Sequence, residues 1–150
     1  MNDFDFFVGT WNVHNRLLAE RLAGSDEWEE FPGRSTAHRP FDGAASFDEI
    51  TFPTKGFSGL TLRLFDPVTE EWSIYWANSK YGRLEQPPVV GRFDGDRGEF
   101  YADDQHEGRP VRCRFIWTVI DKDRCRWEQA FSEDGEVTWE TNWTMDFTRA

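Results

Sequence analysis

The chain has 150 residues and a formal net charge of −11, with 38% hydrophobic and 17% aromatic residues. This length is sufficient for one domain with a substantial core. Nucleic acids and anionic membranes attract basic surfaces, so the acidic balance argues against both as partners. The first residues lack a basic region followed by an apolar run, and no stretch approaches the roughly 20 apolar residues of a membrane span. We therefore expect a cytoplasmic protein.

The chain opens with an aromatic turn followed by a strand. Residues 3–6 predict a short turn in which Phe4 and Phe6 plug one apolar end. From Phe7 onward apolar and polar residues alternate, which places Phe7 and Trp11 on one face of the first strand. Residues 17–23 predict one or two helical turns that end at a glycine, with a long hairpin connection as the alternative.

Short strands then recur between turn-rich segments of Gly, Pro and Asp. The predicted extended segments are 27–41 (with a bulge or bend at Pro32-Gly33), 45–52, 60–65, 72–78, 89–93, 99–103, 111–120, 125–131 and 137–147. About ten strands without a long helix indicate a meander whose apolar face must be buried. We predict one domain over residues 1–150, an all-β, antiparallel lipocalin-like barrel, with a two-sheet sandwich as the alternative.

The last three predicted strands can be paired through their loops, taken as 121–123 and 132–136. The opposed residues are then Val119 and Cys125, Trp117 and Trp127, Cys113 and Phe131, Gln129 and Trp139, Trp127 and Thr141, and Glu128 and Glu140. This pairing separates the two cysteines along the ladder, so no disulfide is expected. It also gathers one apolar face, which consists of Phe115, Trp117, Trp127, Gln129, Trp139, Trp143, Met145 and Phe147. A slip of one residue would break this pattern.

The tripeptide Gly9-Thr10-Trp11 resembles the Gly-x-Trp signature with which lipocalins and other calycins open their first strand. In that group the tryptophan packs across one end of the barrel. Segments 4–14, 62–67, 72–76, 126–132 and 138–143 together resemble a family of uncharacterised bacterial calycin-like proteins, over nearly the whole chain. The resemblance implies the barrel fold. It implies no settled activity and no catalytic residues.

Histidine positions argue against haem and against a metal site. Haem-binding calycins of the nitrobindin type use a histidine near the C-terminal end, whereas the last histidine here is His106. His14, His38 and His106 lack metal-ligand spacing, and there is no CxxC. We therefore expect no cofactor and no metal.

Six tryptophans are candidates to line a cavity for a flat, lipophilic ligand. They are Trp11, Trp76, Trp117, Trp127, Trp139 and Trp143. Alternatively, these rings simply fill a packed barrel. Gln129 falls among them, where its buried amide needs a partner that could be a ligand, an indole or the backbone.

The segment Asp48-Glu49 carries the candidate chemistry, because alternation sends one of the two carboxylates inward. Glu49 is that residue if Phe47 faces inward. A buried Glu49 paired with an arginine such as Arg63 or Arg39 is the candidate acid–base group. Glu49 and Arg63 are thus the candidate catalytic residues and also candidate ligand contacts.

These features favour binding of a small, largely apolar or aromatic molecule inside the barrel over catalysis. The first alternative is an enzyme on the same barrel, a cyclase, isomerase or hydrolase that acts on a lipophilic small molecule with the buried carboxylate. The second is a homodimeric interaction module with a filled barrel. Trp11 is expected to seal one end, so a ligand should enter at the other.

Overall fold

A computed structural model describes residues 1–150 as a closed antiparallel barrel of ten strands. Each strand pairs with the next one in sequence, and β10 pairs with β1, so the sheet has no free edge. The predicted lipocalin-like barrel is confirmed, and the sandwich alternative is wrong. The strands are β1 (Gly9–Leu18), β2 (Trp28–His38), β3 (Ala45–Phe52), β4 (Phe57–Asp66), β5 (Glu71–Asn78), β6 (Val89–Asp94), β7 (Arg97–His106), β8 (Arg109–Asp121), β9 (Arg124–Ser132) and β10 (Glu140–Arg149).

One end of the barrel is closed by a 3₁₀ turn at Asp5–Phe7. Phe4 and Phe7 are fully buried beneath the barrel rim, whereas Phe6 is half-buried. The predicted plug is therefore confirmed for Phe4, but Phe7 belongs to the plug and not to the first strand. The indole of Trp11 lies against Phe7 and donates a 2.8 Å hydrogen bond to its carbonyl oxygen, so the turn and β1 form one packed unit.

The connection after β1 is a loop and contains no helix. β1 continues to Leu18, which pairs with Trp28, and Leu22 has a positive φ of 57° that a right-handed helix excludes. The predicted helical turns are wrong, and the hairpin alternative is confirmed. Pro32 and Gly33 also lie within an uninterrupted β1–β2 ladder, so the bulge expected there is absent.

The β8–β9 pairing agrees with the sequence prediction. Trp117 opposes Trp127, and Cys113 opposes Phe131. Both cysteines are free and buried. The turn at Lys122 and Asp123 pairs Asp121 with Arg124, and a bulge at Ile120 then brings Val119 opposite Cys125.

The β9–β10 pairing is shifted by four residues from the predicted register. Trp127 opposes Met145, Gln129 opposes Trp143, and Glu128 opposes Thr144, so Glu128 and Glu140 are not paired. The connecting loop is longer than expected, and β10 begins only at Glu140. Because the shift is even, Trp143 still faces inward, and a bulge at Asn142 alters the alternation only in the residues before it.

Candidate functional site

A cavity of about 100 Å³ lies inside the barrel, between the closed end and the opposite, open end. Eleven of its 18 lining residues are hydrophobic. The largest of these are Trp76, Phe115, Trp117, Trp127, Trp143 and Met145. The cavity reaches the surface beside Glu85 and Asp104, which are both exposed. The barrel is therefore not packed solid.

The floor of the cavity is a buried ion pair between Asp48 and Arg63. Nη2 of Arg63 donates a hydrogen bond to Oδ1 of Asp48 at 2.5 Å. Asp48 is only 3% exposed and Arg63 only 1%. Ser35 donates to the other carboxylate oxygen at 2.9 Å, and Ser46 accepts from Nη1 at 3.0 Å. Burial of two charges is tolerated because each is matched by an opposite charge and further hydrogen bonds.

The guanidinium of Arg63 also lies among aromatic rings. Its central carbon is 5.1 Å from the ring centroids of Phe4 and Phe7 and 5.3 Å from that of Trp117. At such distances the faces of aromatic rings attract a guanidinium electrostatically. The plug at the closed end and the floor of the cavity therefore share one side chain.

Two hydrogen-bond donors at this floor have no acceptor in the protein. They are Nε of Arg63 and Nε1 of Trp117, both buried. Buried donors are nearly always paired, because water is excluded and the lost hydrogen bond is not replaced. Both of these side chains line the cavity.

Glu49 does not lie in the site. Asp48 points inward and Glu49 is exposed on the outer surface, because Phe47 faces outward and stacks on His38 with ring centroids 4.7 Å apart. The predicted role of Glu49 in the cavity is therefore wrong. The predicted burial of Arg63 beside a carboxylate is confirmed, with Asp48 as the partner.

Arg39, the other arginine considered as a partner, pairs with Asp5 instead, at 3.0 Å. Both of those side chains are substantially exposed, so this ion pair lies at the outer rim of the closed end.

Four of the six candidate tryptophans line the cavity, namely Trp76, Trp117, Trp127 and Trp143. Trp11 does not, because it is fully buried at the closed end beneath Phe7 and Arg149. Trp139 does not either. It precedes β10 and lies outside the barrel, where the guanidinium of Arg114 sits 4.3 Å from the centroid of its ring.

Gln129 lines the cavity as predicted, and its amide has a protein partner. Its Nε2 donates to Oδ1 of Asn142 at 2.8 Å, and Nε1 of Trp143 donates to Oδ1 of Asn15 at 3.1 Å. Asn15 and Asn142 are completely buried. Alternation along β1 from Trp11 predicts that the Asn15 side chain faces inward. The burial of Asn142 follows from the bulge in β10 and is not predicted by alternation.

Charged groups of both signs surround the entrance. Arg21, Arg83, Glu85 and Asp104 line one shallow surface depression there, together with His106. Burial, and secondarily the nearby Asp104, raise the pKa of Glu85. A ligand that passes this rim meets no excess of either charge.

Neither cysteine is suited to act as a nucleophile. Cys113 lines the cavity, and burial raises the pKa of its thiol to about 12. Burial likewise raises the pKa of Cys125 to about 12. Because the thiolate is the reactive form, both side chains act as small apolar groups near neutral pH.

The histidines lie apart from the cavity floor. His14 contacts Glu30 at 2.8 Å on the outer surface, and His106 lies near Phe131 at the open end. The structure contains no group of three or more His, Cys, Asp or Glu side chains that could hold a metal ion. It also contains no helix with the length and apolar character needed to cross a bilayer.

The outer surface of β3, β4 and β5 carries a row of apolar side chains. Phe47, Leu62 and Tyr75 are directly opposed and half-buried, and Leu60 beside them is 42% exposed. The interaction-module hypothesis predicts such an outer patch together with a filled barrel, whereas this barrel contains a cavity.

Comparison with known proteins finds no matching family model and no matching curated protein. A barrel fold alone does not specify a function, which resides in the site that it carries.

Proposed function

We propose that this barrel binds a small, largely apolar or aromatic molecule in the cavity above the Asp48–Arg63 pair. The observation that carries the proposal is an open cavity lined by four tryptophans and floored by a fixed polar network. Ligand sites typically combine such an apolar lining with a few placed polar groups. Membership in a calycin-like family is part of the same proposal, supported by the closed barrel and by Trp11 at its sealed end.

The size of the cavity limits the ligand. The space is about 100 Å³, and an engineered apolar cavity of roughly 150 Å³ in another protein holds one benzene molecule. One six-membered ring, with small adjustments of Met145 and the indoles, matches this space. Larger molecules would extend through the entrance toward Glu85 and Asp104.

The alternative of an enzyme is less well supported by the floor network. Both oxygens of Asp48 already accept hydrogen bonds, from Arg63 and Ser35. A carboxylate held in this way orients its neighbours, and proton transfer would compete with the bonds that hold it. The geometry therefore favours recognition.

The proposal is tested by filling the cavity. Ala102 lines it and opposes Cys113, so Ala102→Leu should occupy the ligand space. We expect toluene and indole to bind the wild type at millimolar concentration or better in calorimetric titrations. The Ala102→Leu variant should bind each of them at least about tenfold more weakly, by loss of well over 1 kcal/mol of contact.

The matched control is Ala77→Leu, the same change in β5 outside the cavity lining. It should bind like the wild type, and circular dichroism should show all three proteins folded. Equal affinities for Ala102→Leu and the wild type would overturn the site. Two results together would overturn the function. Neither toluene nor indole would bind, and native mass spectrometry of the protein isolated from its own cells would show only the ligand-free mass.

A further inference from the structure

We infer that the ligand is a neutral ring compound that carries a carbonyl oxygen, and that this oxygen enters first and lies at the cavity floor. There it accepts hydrogen bonds from Nε1 of Trp117 and Nε of Arg63. This inference rests on the proposed binding function and deepens it by naming the chemical class.

The two buried donors define what the floor lacks. Trp117 is 3% exposed and Arg63 is 1% exposed, and neither Nε1 nor Nε has an acceptor in the protein. The two groups are adjacent, since the central carbon of the Arg63 guanidinium lies 5.3 Å from the centroid of the Trp117 indole. An oxygen with two lone pairs is the group that satisfies two neighbouring donors at once.

The charge balance at the floor determines that the oxygen is neutral. The positive charge of Arg63 is already matched by Asp48 at 2.5 Å, so the pair has no net charge. A ligand carboxylate would add an uncompensated negative charge close to Asp48 in an apolar enclosure, which is costly. A ketone or a similar carbonyl accepts the same hydrogen bonds without that cost.

The remaining charged groups do not alter this balance. The ionisable groups that face the cavity are Asp48, Arg63, Glu85, Asp104 and Cys113, whose thiol is protonated at neutral pH. Glu85 and Asp104 lie at the entrance, where Arg21 and Arg83 balance their charges, so the rim selects neither sign and the floor decides. A cationic ligand would find both oxygens of Asp48 already engaged at the floor.

Acetophenone and α-methylstyrene test the inference, because they have nearly the same shape and differ by an oxygen in place of a CH₂ group. Calorimetric titration of the wild type should give an affinity for acetophenone at least about tenfold higher than for α-methylstyrene, the effect of one net hydrogen bond to a buried donor. Benzoate, of similar size but anionic, should bind more weakly than acetophenone.

The variant Trp117→Phe keeps an aromatic ring and removes the N–H donor. It should lower the preference for acetophenone over α-methylstyrene by about fivefold or more, and this ratio is the readout because the contact area lost with the indole affects both ligands. Trp127→Phe is the matched control. Trp127 also lines the cavity, but its indole nitrogen is not a buried donor without a partner, so both ligands should be affected alike.

The outcomes separate this inference from the proposed function. Equal binding of acetophenone and α-methylstyrene to the wild type would overturn the carbonyl assignment and leave the proposed function standing. Tightest binding of benzoate would overturn the neutrality of the ligand. An unchanged preference in Trp117→Phe would overturn the role of that donor. Failure of all three compounds to bind, alongside toluene and indole, would instead overturn the proposed function.

Discussion

At the scale of single residues, the site depends on the pairing of Asp48 with Arg63. A buried guanidinium is stable only while its charge and its donors are matched, because the interior cannot replace the water that was removed. Here one carboxylate, one serine hydroxyl and three aromatic rings supply that environment. The pair therefore gives the cavity a fixed polar floor with no net charge.

Removal of the carboxylate should be strongly destabilising. We expect Asp48→Ala to lower the free energy of unfolding by about 3–5 kcal/mol, because Arg63 is left buried and uncompensated. Ser46→Ala, which removes a single neutral partner of the same guanidinium, should cost only about 1 kcal/mol. Urea unfolding followed by tryptophan fluorescence measures both changes.

A second change distinguishes lost charge balance from lost packing. The double variant Asp48→Leu with Arg63→Met replaces the pair by apolar groups and should recover most of the stability lost in Asp48→Ala. If Asp48→Ala lowers the free energy of unfolding by less than about 1 kcal/mol, the buried pair does not stabilise the fold as described. Such a small loss would mean that solvent hydrates the Arg63 guanidinium, which then does not need its partner.

At the scale of elements, the loop between β9 and β10 decides which residues of the last strand face inward. Asp134 organises this loop by accepting hydrogen bonds from the Ser132 hydroxyl and from the backbone N–H and hydroxyl of Thr138. These bonds lower the pKa of Asp134 to about 2, with the Thr138 hydroxyl as the main cause. The loop is thus a folded unit that delays the start of β10 to Glu140.

The pH dependence of this loop follows from the sign of the shift. The folded pKa of Asp134 lies below its ordinary value of 3.8, so the carboxylate stabilises the fold above that pH. The contribution is lost as the pH falls from about 4 through about 2. Asp134→Asn should therefore lower the melting temperature at neutral pH and should converge with the wild type near pH 2.

The matched control for this loop is Asp26→Asn, in the exposed β1–β2 connection at the same end of the barrel. It should leave the melting temperature unchanged across the pH range. A difference between Asp134→Asn and the wild type that stays constant down to pH 2 would contradict the role of the ionised carboxylate. Thermal melts followed by circular dichroism at a series of pH values make the comparison.

At the scale of the whole molecule, Arg149 connects the two ends of the chain at the closed end of the barrel. Its guanidinium lies 4.2 Å from the ring centroid of Trp11 and donates to the carbonyl oxygens of Phe6, Val8 and Lys122. The N-terminal plug, β10 and the β8–β9 turn are therefore joined by one planar side chain. Only a guanidinium has enough donors in this arrangement.

Arg149→Lys should lower the free energy of unfolding by about 1–3 kcal/mol, because an ammonium cannot satisfy these separated carbonyl oxygens and does not stack as well on an indole. Hydrogen exchange of residues 4–11 should increase most. Arg124→Lys, in an exposed ion pair with Asp121, should cost less than about 0.5 kcal/mol. Equal losses in the two variants would show that Arg149 acts only as a surface charge.

The sequence predicted the parts of this fold that depend on local alternation. Trp117, Trp127, Gln129 and Trp143 were expected on one face and do share it, because a strand places every second side chain on the same side. Local alternation could not determine whether Asp48 or Glu49 faces inward. Alternation allows either carboxylate inward, and the outward stacking of Phe47 on His38 decided it.

What the sequence by itself determined is therefore a closed, aromatic-rich antiparallel barrel, because period-2 patterning and short turns act between neighbours in the chain. What only the tertiary structure decided is the site. The positions of Trp139 and Trp143 depend on a loop held by Asp134 and on a bulge in β10. The cavity itself depends on how side chains from all ten strands fill a common interior, and no single segment carries that information.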